Sequence, residues 1–214
     1  MMKAVVLISG RGSNMEALLK ADLPVEFAAV ISNKPDAGGL EVAAQLGVKA
    51  VAIDHRRFSD RVSFDAALAE EIDRYEPDLI VLAGFMRVLT DEFVRRYLGR
   101  MINIHPALLP AFPGLNTHRR ALAAGVKIHG CTVHFVTPEV DVGPIVIQAA
   151  VPVLPGDTED SLSARVLEQE HRIYAQAIRW WAEGRLTVRG DGGVTVADVA
   201  DSASALISPQ PEIG

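Results

Sequence analysis

The sequence contains very little cysteine: Cys131 is the only one among 214 residues. A single cysteine excludes an intrachain disulfide and a cysteine-rich zinc site, so it favours a reducing compartment. Positive charge is also scarce, with 21 lysine and arginine residues against 27 aspartate and glutamate residues and a formal net charge of −6. This balance argues against a nucleic-acid partner or an anionic membrane surface, and it suits a small metabolite bound in a local pocket.

Long hydrophobic runs are absent as well. The longest central run, from Leu79 to Met86, is far shorter than the roughly 18 residues that a membrane-spanning helix needs. The opening apolar run, Ala4 to Ile8, is interrupted by Ser9-Gly10-Arg11, which is not the pattern of a signal peptide. We therefore expect a soluble cytoplasmic protein without a membrane partner.

What the sequence does contain is an alternation of short apolar runs and segments with helical spacing. Apolar runs at residues 4–8, 27–31 and 78–83 are each followed by a segment with helical spacing. Nearly continuous apolar strands are typical of parallel sheets that are buried on both faces. The pattern predicts an α/β fold with a single doubly wound, mostly parallel sheet and helices on both faces. We place one domain at residues 1–190 and a partly flexible C-terminal tail at residues 191–214.

The segment Ser9-Gly10-Arg11-Gly12-Ser13-Asn14 connects the first predicted strand to the first predicted helix. Such a turn offers free backbone N–H groups and the positive end of a helix dipole, which together can hold a phosphate. The third glycine of the dinucleotide fingerprint and its acidic ribose ligand are missing, as is the lysine of the nucleoside triphosphate loop. The loop therefore resembles a cradle for a monophosphate, although glycines can also serve only to allow a tight turn.

Asn103 and His105 lie at the end of a predicted strand, which must stop at Pro106. Alternate side chains of a strand share one face, so we expect the amide and the imidazole to point the same way. Asp141, from Val140-Asp141-Val142-Gly143-Pro144, is a candidate carboxylate partner. Open α/β sheets bind ligands at this end of their strands, so the three residues form a candidate acyl-transfer site. The alternative is that His105 is a core histidine and Asn103 a turn former.

The histidines of the strand predicted at residues 129–136 do not suggest a metal site. His129 and His134 are separated by an odd number of positions, so their side chains should lie on opposite faces. Thr90 and Thr117 are typical N-cap residues for the helices that follow them.

Taken in order, these motifs closely resemble the phosphoribosylglycinamide formyltransferase family, the folate-dependent enzymes of purine biosynthesis. Each motif alone is weak, but the ordered set is specific and covers nearly everything except the tail. The matching segments are Val5-Val6-Leu7-Ile8-Ser9-Gly10, Leu82-Ala83-Gly84-Phe85-Met86-Arg87, Asn103-Ile104-His105-Pro106, His134-Phe135-Val136, Asp141 with Gly143-Pro144, and Gln169-Glu170-His171.

The resemblance implies glycinamide ribonucleotide and 10-formyltetrahydrofolate as substrate and cosubstrate, with no metal. It implies that the loop at Gly12, Ser13 and Asn14 holds the substrate phosphate and that Glu170 binds the ribose hydroxyls. The folate would lie along eight positions: Arg61, Met86, Arg87, Val88, Leu89, Asn103, Val140 and Asp141.

The resemblance also implies a catalytic trio of Asn103, His105 and Asp141. The amine would attack the formyl carbon directly, with Asn103 and His105 stabilising the oxyanion. His105 and Asp141 would manage the proton transfers. Four positions depart from the family pattern and concern secondary contacts only: Ala107, Ala111, Val142 and Leu167.

Other readings share much of this pattern. Formyltransferases that act on methionyl-tRNA or nucleotide sugars, and 10-formyltetrahydrofolate deformylases, resemble the same core but usually carry a further domain. A noncatalytic phosphometabolite-binding or folate-binding module is a more remote alternative. A homodimer is compatible with the sequence, although no apolar stripe specifies one.

Overall fold

The computed structural model describes residues 1–199 and 206–209 and is built around a seven-stranded sheet. The strands of this sheet are β1 (Met2–Ile8), β2 (Val25–Ser32), β3 (Ala50–Ala52), β4 (Leu79–Leu82), β5 (Met101–His105), β6 (Ile128–Phe135) and β7 (Ile145–Pro152). Their order across the sheet is β3-β2-β1-β4-β5-β6-β7. The pairs among β1 to β5 are parallel, whereas β6 and β7 are antiparallel. The predicted mostly parallel sheet is therefore confirmed.

Helices cover both faces of the sheet, as the doubly wound pattern predicts. The helices are α1 (Ser13–Lys20), α2 (Gly38–Gln45), α3 (Arg61–Asp73), α4 (Asp91–Arg96), α5 (Thr117–Ala124) and α6 (Glu159–Ala182), with a 3-10 turn at His55–Arg57. One core joins α1, α2 and α6 to the sheet, and the other joins α3 and α4 to its opposite face. Burial of these two apolar faces is the main force that holds the layers together.

Two of the helix starts test the expected capping residues. The Thr90 side chain accepts a hydrogen bond from the backbone N–H of Phe93 and caps α4, as predicted. The expectation for Thr117 is wrong, because α5 is preceded by Asn116 in a left-handed conformation and has no side-chain cap. Thr117 is instead buried as the first residue of the helix.

The parallel strands β1, β2, β4 and β5 end at the same edge of the sheet, where their connecting loops meet. Ser9, just after β1, links three of them: its hydroxyl donates to Asn33 Oδ1 at 2.5 Å and accepts from the backbone N–H of Met86 at 2.7 Å. The loops after β1, β2 and β4 are thereby fixed relative to each other beside the end of β5.

After α6 the chain forms a small antiparallel hairpin of β8 (Leu186–Val188) and β9 (Val194–Val196). The domain boundary expected after residue 190 falls in the turn of this hairpin. Residues 200–205 and 210–214 of the expected flexible tail lie outside the described residues.

Candidate active site

The end of β5 presents polar side chains on one face of the sheet and apolar ones on the other. Ile102 and Ile104 pack in the core beside α6, so Asn103 and His105 face the opposite side. This arrangement is the one that alternation predicts. The antiparallel register sets β6 residues opposite them, with Asn103 across from His134 and His105 across from Thr132. The face thus carries a cluster of polar groups drawn from two strands.

Asp141 reaches this cluster from the turn between β6 and β7. Its Oδ2 lies 3.5 Å from Nδ1 of His105, and its Oδ1 lies 3.8 Å from Nε2 of His134. Asp141 has a φ of 58°, a left-handed conformation that non-glycine residues seldom adopt. Gly143 allows this tight turn, since a Cβ there would stand 1.8 Å from the carbonyl oxygen of Phe135. The structure therefore brings together all three residues of the expected trio.

The loop after Pro106 closes over the trio and makes two hydrogen bonds to it. His105 Nε2 lies 3.0 Å from the carbonyl oxygen of Phe112, and the Gly114 N–H donates to Asp141 Oδ2 at 2.8 Å. A carbonyl oxygen can only accept, so Nε2 of His105 carries a proton in this arrangement. The loop therefore sets which nitrogen of His105 is protonated and holds the carboxylate beside it.

His134 is a member of this cluster that the site expected from the sequence did not include. Its Nε2 lies 3.2 Å from Nδ2 of Asn103, and its Nδ1 lies 2.9 Å from the carbonyl oxygen of Phe135. Burial lowers the pKa of His134, while the nearby Phe135 carbonyl and the Asp141 carboxylate oppose that shift. Its position in the His134-Phe135-Val136 motif was the available signal, but only the pairing of β5 with β6 places it beside Asn103.

A groove with a volume of about 120 Å³ adjoins the trio and is lined by the segment after β4 and the turn after β6. Its walls include six of the eight expected folate-binding residues: Arg87, Val88, Leu89, Asn103, Val140 and Asp141. The other two do not line the groove: Met86, beside Arg87, is 68% exposed, and Arg61 is exposed at the first position of α3. Within the wall, the Arg87 guanidinium stacks 4.8 Å from the centre of the Phe64 ring.

The expected phosphate loop adopts a compact turn at the start of α1. Gly12 has a φ of 75° and lies so close to Gly39 that a Cβ would come within 3.2 Å of its Cα. The first N–H groups of α1 follow this turn, and they have no acceptor inside the helix. These N–H groups and the helix dipole together form an anion-binding arrangement.

Asn14, in the first turn of α1, also contacts the expected ribose-binding residue. Its Nδ2 donates to Oε2 of Glu170, on α6, at 2.7 Å. Glu170 is only 7% exposed, and burial raises its pKa although the Asn14 hydrogen bond opposes the shift. The structure therefore brings a residue of the expected phosphate loop into direct contact with the expected ribose-binding residue.

Metal-binding clusters and membrane-spanning helices have no counterpart in the part of the chain that the structure describes. No group of three or more histidine, cysteine, aspartate or glutamate side chains there is arranged to hold a metal ion. Within residues 1–199 and 206–209, no helix has the length and hydrophobicity to cross a membrane.

Comparison with known proteins places this arrangement in one family. A formyl transferase family model matches residues 2–178. The phosphoribosylglycinamide formyltransferase of Escherichia coli is 52% identical over 189 residues, covering 86% of this chain and 89% of that protein. The human trifunctional purine biosynthetic protein adenosine-3 is 43% identical over 196 residues, which are 90% of this chain and 19% of that protein.

Solved structures give the same result. The crystal structure of glycinamide ribonucleotide transformylase 1 from Symbiobacterium toebii matches with a TM-score of 0.90 and 50% identity, over 92% of this chain and 95% of that one. The phosphoribosylglycinamide formyltransferase of Coxiella burnetii matches with a TM-score of 0.87 and 48% identity, over 91% and 93%. The chain therefore belongs to the phosphoribosylglycinamide formyltransferase family, enzymes of purine biosynthesis that transfer a formyl group.

Proposed function

We propose that the chain transfers the formyl group of 10-formyltetrahydrofolate to the amine of glycinamide ribonucleotide, giving formylglycinamide ribonucleotide and tetrahydrofolate. The observation that carries this proposal is the meeting of Asn103, His105 and Asp141 at the end of β5. The trio lies beside the groove described above, which would hold the folate. With one cysteine, and as a member of a family of purine biosynthesis enzymes, we assign the enzyme to the cytoplasm.

Two buried polar atoms support this assignment of substrates. Arg87 Nε, in the wall of the groove, and Asn14 Oδ1, beside Glu170, are both buried and have no hydrogen-bond partner among the described residues. Buried polar groups normally have a partner, so atoms of this kind suit a polar ligand. The apolar walls at Val88, Leu89 and Val136 suit the flat ring system of a pterin.

Asn103 is the residue that stabilises the developing negative charge. When the amine attacks the formyl carbon, electrons move onto the formyl oxygen, and a preorganised N–H donor aimed there stabilises the transition state by about 3 to 4 kcal/mol. The carboxamide of Asn103 has two such N–H groups. One faces His134, which leaves the other for the oxygen.

His105 and Asp141 manage the protons of the reaction. The attacking nitrogen must lose a proton, and the folate nitrogen must gain one before its bond to the formyl carbon breaks. The two ring nitrogens of His105 face two acceptors, the Phe112 carbonyl and the Asp141 carboxylate, which together suit an imidazole that carries and releases a proton. Asp141 orients the His105 ring and is its partner in the proton transfers.

Steady-state release of tetrahydrofolate from 10-formyltetrahydrofolate tests the proposal directly. We expect release to require glycinamide ribonucleotide and to match the formation of formylated product. Release without the amine would instead indicate a deformylase, and folate binding without release would indicate a binding module or a formyltransferase with another acceptor.

The trio can be tested in the same assay. We expect Asn103→Ala, His105→Ala and Asp141→Ala each to lower kcat at least ~100-fold, because each removes a donor or a proton carrier from the reacting atoms. Circular dichroism and thermal unfolding would verify that each variant is folded. A folded variant with nearly normal turnover would remove that residue from the mechanism.

A further inference from the structure

His134 has a fixed tautomer in this structure. Its Nδ1 lies 2.9 Å from the carbonyl oxygen of Phe135, which can only accept, so Nδ1 carries the proton. A neutral ring then has only a lone pair at Nε2. That lone pair faces Asn103 at 3.2 Å and accepts one of its N–H groups.

This contact decides which way the Asn103 carboxamide points. An asparagine amide can turn by half a rotation about its last bond, which exchanges its oxygen and its nitrogen. With the oxygen turned towards Nε2 of His134, two acceptors would face each other. The lone pair of His134 therefore favours the orientation in which the second N–H of Asn103 remains free.

We infer that His134 is a positioning residue, which holds the Asn103 carboxamide with its N–H group ready for the formyl oxygen. This inference rests on the proposed function, because it assigns a purpose to the free N–H group. It does not make His134 a catalytic residue, since the ring acts through Asn103.

The surroundings of His134 maintain this arrangement. The residue is 2% exposed, and the β6 to β7 register is irregular between Val133 and His134, as is common beside active sites. Gly143 allows the next turn to pack against the Phe135 carbonyl, the same oxygen that fixes Nδ1. The charged or titratable groups that face the ring are Asp141 and His105, and burial keeps the ring neutral.

Nitrogen NMR tests the tautomer without reference to any activity. The full-length protein would be labelled with ¹⁵N in its histidine rings, and the His134 signals would be assigned from their loss in His134→Gln. We expect a proton on Nδ1 and none on Nε2 at neutral pH. A proton on Nε2 would overturn the inference even if the enzyme transfers formyl groups as proposed.

Kinetics test the consequence for Asn103. His134→Met introduces an apolar side chain of similar length, whose thioether is only a weak acceptor. We expect kcat to fall about 10- to 100-fold while both KM values change less than about threefold. His134→Gln is the matched variant, since its side-chain oxygen can accept from Asn103. It should restore turnover to within about fivefold of the wild type.

A double variant separates positioning from a general structural role. In an Asn103→Ala background there is no amide to orient, so His134→Met should lower kcat by less than about threefold further. If kcat of the double variant instead fell by the product of the two single-variant losses, the inference would be overturned. An inactive wild type would refute the proposed function, while the NMR result would still decide the tautomer.

Discussion

Glu170, the proposed ribose-binding residue, illustrates how a side chain placed for function can oppose stability at the scale of one residue. It is a carboxylate on the buried face of α6, 7% exposed, with Asn14 as its hydrogen-bond donor. Burial disfavours its charged form and raises its pKa above the ordinary value of 4.5. This cost in stability has a functional counterpart. In the proposed role, a charged acceptor binds the ribose hydroxyls more tightly than a neutral one does.

Replacing Glu170 with Gln should therefore stabilise the protein and weaken substrate binding. In the unfolded chain Glu170 ionises near pH 4.5, but in the folded protein it ionises at a higher pH, so the wild type loses stability as pH rises between these two values. Glu170→Gln avoids this loss, and we expect a gain in unfolding free energy at pH 7 that disappears below pH 4.5. Urea unfolding at several pH values measures it.

The same variant should raise the KM for glycinamide ribonucleotide about 10-fold or more, because hydrogen bonds to a charged group contribute roughly 1.5 to 3 kcal/mol. Glu168→Gln is the control, since Glu168 lies two residues away on the same helix but is exposed. A Glu170→Gln variant with unchanged KM would show that Glu170 does not bind the ribose.

At the scale of elements, the loop after Pro106 depends on α5. Arg120 Nη1 donates to the carbonyl oxygens of Pro113 at 2.5 Å and Leu115 at 3.3 Å, and its guanidinium lies 5.7 Å from the centre of the Phe112 ring. Phe112 supplies the carbonyl that faces His105. One arginine on α5 thus holds the loop that contacts the trio.

Replacing Arg120 with Met should loosen this loop and lower kcat roughly 3- to 10-fold, because a small displacement of positioned groups slows the reaction. The KM values should change less, since Arg120 is absent from the groove lining. Arg119→Met is the matched control: Arg119 is the exposed neighbour on α5, and no hydrogen bond or ion pair of its side chain occurs within the described residues. Equal effects of the two substitutions on kcat would refute the role of Arg120 as a clamp.

Strands and helices were predictable from the sequence where they depend on local patterns such as strand alternation and helix capping. Alternation along β5 was sufficient to place Asn103 and His105 on one face, and Thr90 marked the start of α4 correctly. His134 was missed because its contact with Asn103 depends on how β5 and β6 pair. The two residues are 31 positions apart, so no local sequence pattern reveals that register. The Thr117 cap was wrong because Asn116 takes a left-handed conformation that the sequence does not reveal.

At the scale of the whole molecule, an acidic protein is expected to bind a negatively charged substrate. The formal net charge is −6, so the overall field does not favour a phosphate. The N-terminus of α1 offers a local solution, because its backbone N–H groups attract anions without adding a charged side chain. Asn14 ties this site to α6 across 156 positions of sequence, so a ligand bound there would hold the two ends of the domain together.

The phosphate should therefore contribute strongly to thermal stability in the bound state. A ligand at 100 times its dissociation constant stabilises the folded protein by about 2.7 kcal/mol. For a chain of this size, that corresponds to a rise in Tm of roughly 5 to 10 °C. Differential scanning calorimetry would compare glycinamide ribonucleotide with its dephosphorylated riboside at equal concentrations. We expect a large rise with the nucleotide and a small one with the riboside, because only the nucleotide can occupy the loop at Gly12, Ser13 and Asn14. Equal shifts from the two ligands would mean that this loop serves only to turn the chain from β1 into α1.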